Sequence, residues 1–141
     1  MKTLIPGLLM TFMCISLIAQ KSPVKFGDVP MEDMTMTIYD KDSSAEALVL
    51  VDYGEAYIQS TSMSSNMTFE RHMRIKILKK EGTHWANGII PLYQVGSVEE
   101  KVSNLKASTY NLENGKIVES ELSKDAIFKE KFNRNINHQK F

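Results

Sequence analysis

The sequence predicts a mainly β domain: an antiparallel, β-sandwich-like sheet structure with two or three short helical turns, preceded by a signal-peptide helix. Three observations carry this prediction. From Met67 to Lys79 the chain alternates, with Met67, Phe69, Met73, Ile75 and Ile77 on one parity and Thr68, Glu70, His72, Arg74 and Lys76 on the other, which is the period of a half-buried strand. Asn114-Gly115 stands between two β-rich runs, and this pair supplies the positive φ angles of a type I′ hairpin turn. The breaks between apolar runs are short, which favours antiparallel pairing.

Bulk properties narrow the field further. A chain of 141 residues is one domain by length. With 43% hydrophobic and 24% charged residues it is not a wholly disordered chain. Lys+Arg and Asp+Glu are 17 each, so the formal charge is zero, and the chain lacks the electrostatic footprint of a nucleic-acid binder. The single Cys allows no internal disulfide.

The N-terminus has the form of a targeting segment. Lys2 precedes an apolar run from Leu4 to Ile18, and Ala19-Gln20-Lys21 follows. A positive charge, an apolar stretch and a small residue describe a secretory signal peptide. The run is shorter than the roughly 20 residues that a membrane span needs. Cleavage is expected near Ala19-Gln20, giving a signal at residues 1–19 and a domain at residues 20–141; Leu17, at the −3 position, is not small. Cys14 lies inside the run behind Met13 and reads as part of the signal rather than as a lipidated residue. The exported product then has no Cys, which excludes a Cys nucleophile and thiolate metal ligands. No other segment is apolar enough to span a membrane.

The remaining elements follow in order. Asp28-Val29-Pro30-Met31-Glu32 marks a helix start, with Asp28 as cap and Pro30 in the first turn. Thr35, Thr37 and Tyr39 favour strand and limit that helix to one or two turns. Ala47 to Tyr53 and Ala56 to Gln59 read as a hairpin broken at Gly54-Glu55. The long strand from Met67 should bury its apolar parity and wet the other, and Lys79 to Gly82 ends it. Thr83 to Gly88 suits a helical turn, and Ile89 to Val95 a strand that Pro91 places at an edge or bend. Leu105 to Leu112 and Ile117 to Leu122 flank the Asn114-Gly115 turn. Ser123 begins a possible helix through Phe132, and Asn133 to Phe141 reads as a polar end. The total is about six strands.

In this order the segments resemble the DUF3857 family, whose function is unknown. The matching stretches are Lys25-Phe26-Gly27, Met31 to Met34, Tyr39 to Asp42, Ala45 to Leu50, Tyr53-Gly54-Glu55, Arg74 to Gly82, Leu105 to Lys116, and Leu122-Ser123-Lys124 with Ile127-Phe128. The resemblance covers nearly all of residues 25–141, through the ordered set rather than any single piece. It implies a mainly β module that precedes a transglutaminase-like domain in exported proteins of Gram-negative bacteria, so the product is expected in the periplasm or outside the cell. The family's module continues past the equivalent of Phe141, so the resemblance also implies a partial domain. The transglutaminase-like core is absent from this sequence.

Candidate chemistry is sparse. His72, His84 and His138 have no compact ligand spacing. Asp40, Asp42, Glu46 and Asp52 include one alternating pair but lack the central Gly of a calcium loop. No serine elbow occurs near Ser60 to Ser65, which reads as a flexible loop, and Asn66-Met67-Thr68 matches a glycosylation sequon without consequence in a bacterial-type export protein. Lys129, Lys131, Arg134 and Lys140 make a basic C-terminal part, either a solvated face or a docking surface. Trp85, Tyr93, Tyr110 and Phe128 serve equally as core or as the lining of a glycan or peptide groove. The expectation is therefore a non-catalytic exported module that scaffolds or binds beside a transglutaminase-like domain, with no catalytic, metal or cofactor residues. The expected partners are that domain, an extracytoplasmic protein or a glycan; nucleic acid and a membrane span after signal cleavage are excluded. Two alternatives stand: the N-terminal part of a transglutaminase-like or cysteine-peptidase-like enzyme whose active site lies downstream, and a stand-alone periplasmic binding domain.

Overall fold

Strand pairing organises residues 24–141, the part of the chain that the computed structural model describes. The fold is mainly β, 48% strand and 13% helix, and every sheet is antiparallel. The expected signal segment and its expected cleavage site lie outside the described residues.

The first sheet is a long two-stranded ribbon of β1 (Ala47–Ser60) and β2 (Ser65–Ile77). The second has four strands, β3 (Ile89–Val95), β4 (Val98–Glu99), β7 (Phe128–Lys131) and β8 (Ile136–Lys140), in the order β4-β3-β8-β7. The third is the hairpin of β5 (Ser108–Glu113) and β6 (Lys116–Glu121). Among the described residues, helical structure is limited to α1 (Met31–Thr35) and two 3-10 turns, Lys80–Ala86 and Lys124–Ala126.

The Asn114-Gly115 turn forms as its residue types dictate. Asn114 has φ 51° and Gly115 φ 76°, both positive as a type I′ turn requires. Pro91 also sits where its missing N–H does no harm. It pairs with His138 on one side, while β4 reaches only Gln94 and Val95 on the other.

Four expectations are corrected. First, no hairpin forms at Gly54-Glu55: β1 runs unbroken for 14 residues, and its turn is at Thr61 to Ser64, where Thr61 N donates to Ser64 O at 2.7 Å. Gly54 stays in the strand because the Phe69 ring lies over it; a Cβ there would meet that ring at 2.9 Å. Second, the segment from Ser123 to Phe132 is one 3-10 turn and then β7, not a helix. Ser123 does cap that turn, accepting from Asp125 N, but Ile127 already has extended backbone angles, and β8 offers β7 a ladder.

Third, the polar end is itself structural. Ile136–Lys140 forms β8, paired with β3 on one side and β7 on the other, so eight strands form rather than six. Asn135 and Asn137 explain how a polar segment occupies the middle of a sheet. Their side-chain amides donate to Gln94 O and Gln94 Oε1, each at 3.1 Å.

Fourth, the faces of β2 depart from the expected burial along most of its length, although Ile75 and Ile77 are half-buried as expected and Glu70 is exposed. Met67, Phe69 and Met73 are exposed, whereas Thr68, His72, Arg74 and Lys76 are half-buried. The covering material is the segment from Phe26 through α1. Arg74 pairs with Asp33 at 3.0 Å and donates to Asp28 O, and Lys76 Nζ donates to Met34 O at 2.9 Å. Long basic side chains cover apolar surface with their stems while their heads find oxygen, so a polar parity can be the covered one.

The core is correspondingly thin. Leu92 is the one buried hydrophobic side chain among the described residues, against 19 large hydrophobics that stay exposed; the sheets therefore turn much of their apolar surface outward.

Candidate functional site

An open concavity lies on the covered face of the β1–β2 ribbon. Its lining is Val24, Lys25, Phe26, Tyr53, Glu55, Glu70, Arg71 and His72, around a volume of about 590 Å³. Register builds it. Tyr53 stands opposite His72 and Glu55 opposite Glu70, and cross-strand partners share a face. Phe26, from the segment that Arg74 and Lys76 hold down, closes one wall, its ring 6.2 Å from the His72 imidazole.

Two carboxylates placed directly opposite each other repel. Phenols soften this pair: Tyr57 donates to Glu70 at 2.7 Å, and Tyr53 to Glu55 at 3.4 Å. Donation to Glu70 pushes the Tyr57 phenol above its ordinary value, and burial with the nearby Glu55 charge pushes up Tyr53. The result is a notch lined by two exposed acids, the rings of Phe26, Tyr53 and His72, and the cations Lys25 and Arg71; the acids and rings are groups that can receive an ammonium or guanidinium.

The opposite face of the ribbon is apolar and open. Ile58 faces Met67, Ala56 faces Phe69, and Gly54 faces Arg71. The charges there are Asp52 and Arg71, joined by two hydrogen bonds of 2.7 and 2.6 Å. That contact draws the Asp52 carboxyl below its usual value and raises Arg71.

The residues weighed from the sequence are mostly scattered. His72 is on β2, His84 rests on Trp85 in the first 3-10 turn at 5.3 Å, and His138 stacks on Phe132 beside β8 at 4.4 Å. No group of three His, Cys, Asp or Glu residues suited to a metal gathers among the described residues. Asp42 accepts from Ser44 N and Oγ in a turn, which lowers its carboxyl, while Asp52 is committed to Arg71. Of the basic set, Lys129 pairs with Glu99 at 2.7 Å and Lys140 with Glu130, while Arg134 lines a second concavity of about 530 Å³ with Gln94, Val95, Gly96 and Asn135.

The four aromatics do not form one groove. Tyr110 belongs to the β5–β6 hairpin and Trp85 to a 3-10 turn. Tyr93 and Phe128 share a face of the four-stranded sheet at opposite ends of β8, where they flank Ile136 and Lys140. Sequence reasoning missed the Glu55–Glu70 notch. Its signal was present in the alternation Tyr53, Glu55, Tyr57, but the expected break at Gly54 concealed the common face.

No helix among the described residues is long and apolar enough to cross a membrane. No family model, no curated protein and no solved structure matches the chain.

Proposed function

We propose that the chain is a non-catalytic, exported β module that scaffolds or binds a protein partner beside a transglutaminase-like domain. The supporting observation is the imbalance between one buried hydrophobic side chain and 19 large exposed ones. Contiguous exposed apolar surface on folded proteins marks interaction sites, and here 13 of the 19 side chains lie on strands, which present a fixed shape to a partner. The test is site-specific photo-crosslinking of the exported chain from position 69 on the ribbon and position 128 on the four-stranded sheet. A protein adduct from either position supports the module reading. Absence of adducts from both, together with acyl-transfer or peptidase turnover by the chain, would replace it with an enzyme.

The second reading, a stand-alone periplasmic binding domain, draws on the notch between Glu55 and Glu70. Calorimetry with a lysine-rich peptide and its acetylated form checks it. Binding that disappears on acetylation and in Glu55→Gln/Glu70→Gln supports this reading, and equal binding of both peptides defeats it.

A further inference from the structure

We propose that the apolar face of the β1–β2 ribbon is the interface between two copies of this chain; the proposal rests on the binding-module reading and names the partner for one face. The face has five large apolar side chains: Val49, Ile58, Met67, Phe69 and Met73, exposed by 51, 70, 74, 63 and 46%. Register places them in two adjacent columns, with Ile58 opposite Met67, Ala56 opposite Phe69, and Val49 opposite Ile75. The larger β2 side chains lean across the smaller β1 column, since the Phe69 ring lies over Gly54 and Arg71 reaches Asp52. The two columns thereby form one continuous face, and packed sheet faces lie about 10 Å apart.

Area and charge select the occupant. Side chains of this size present on the order of 150–250 Å² when fully exposed, so the five together offer roughly 600 Å². Two copies face to face would bury at most about 1,200 Å² from these side chains, which is the range of a weak, reversible dimer. The charges of the face are one acid and one base, Asp52 and Arg71, each side chain about half exposed. A twofold axis running along the strands lays the β2 column of one copy over the β1 column of the other. Arg71 of each copy then comes beside Asp52 of its mate, as an isologous contact requires. A uniformly acidic or basic partner would meet one of the two charges unfavourably, and a chain of formal charge zero does not repel its own copies.

Sedimentation equilibrium of the full chain tests this. The expected result is a monomer–dimer equilibrium with a dissociation constant in the micromolar range. Met67→Lys, at a position too exposed to disturb folding, should weaken it at least 30-fold, about the loss of one interface hot spot. Asp52→Arg and Arg71→Asp should each weaken self-association, because each gives a face of one sign. An equimolar mixture of the two variants should restore a dimer containing one of each, and that result does not depend on any single variant keeping wild-type stability. A wild-type chain that stays monomeric at about 100 µM, or a mixture that associates no better than its components, overturns the proposal. Photo-crosslinking from position 69 separates the two readings. An adduct of twice the chain's mass supports self-association. An adduct with a different protein overturns self-association and leaves the module reading standing; silence at both 69 and 128 defeats self-association, and defeats the module reading as well when the chain shows acyl-transfer or peptidase turnover.

Discussion

The molecule has two isolated hairpins, and they differ in what holds them. The β5–β6 hairpin is short, six residues a strand, and its turn chemistry specifies it locally. The β1–β2 ribbon is more than twice as long and turns through Thr61 to Ser64, where a hydroxyl network replaces a glycine. Its stability comes from the side instead: the α1 segment is clamped to one face by Arg74 and Lys76. A hairpin can thus be specified by its turn or by what lies on it, and only the first is visible in a short stretch of sequence.

The largest effect should come from the clamp. Arg74→Ala leaves Asp33 and the Asp28 carbonyl without their cation in a half-buried contact, and urea unfolding should show a loss of about 2–3 kcal/mol. Arg71→Ala removes an ion pair of the same type from the open face and should cost below about 1 kcal/mol. Equal costs would mean that the α1 segment does not hold the ribbon.

The turns come next. Gly115→Val forces a β-branched residue to φ 76° and should cost about 1–2 kcal/mol. Thr61→Ala removes side-chain bonds from an exposed turn and should cost about 0.5–1 kcal/mol. A reversed order would show that the ribbon, too, depends on its turn.

The pH dependence should be the mildest effect, and the two hairpins should share it. The Glu119 carboxyl lies below its ordinary 4.5 because Tyr110 donates to it, and Asp52 lies below 3.8 because of Arg71. A carboxylate lowered by folding stabilises the fold above its unfolded value and loses that contribution as pH falls through the folded one. Melting temperature should therefore be flat from pH 7 to 5 and decline below about 4.5. Tyr110, raised by burial and by Glu119, has the opposite sign: its contribution is complete below 10.0 and fades as pH rises beyond it. Tyr110→Phe should remove part of the alkaline decline, and an unchanged profile would count against the Tyr110–Glu119 contact.

What the sequence disclosed follows the same division. The mainly β antiparallel class, the Asn114-Gly115 hairpin, the strand through Pro91 and the brief helix near Met31 were legible because each rests on local geometry. The covered face of β2 was not, because period-2 alternation reports that two faces differ and not which is covered. Arg74 and Lys76 are covered only through partners about 40 residues away in the chain. β8 was missed for a similar reason: Asn135 and Asn137 look like loop residues until Gln94 accepts their amide protons. The Glu55–Glu70 notch depends on a strand running through a glycine, which no local rule favours.

The position of β8 also sets an order of assembly. The two hairpins join neighbours in the chain and can close early, since short loops close quickly. The four-stranded sheet cannot be completed in this way: β3–β4 and β7–β8 also pair chain neighbours, but β3 meets β8 only across a long stretch of chain, from Tyr93 to Ile136 at the nearest. Until the β7–β8 pair docks, β3 presents an open edge. Long-range pairing of this kind is slow, and an exposed edge in a waiting intermediate can recruit another chain. Refolding should therefore be biphasic, with fast hairpin formation and a slow step that Asn137→Pro would block. The same step is the one at which a chaperone would have most to protect.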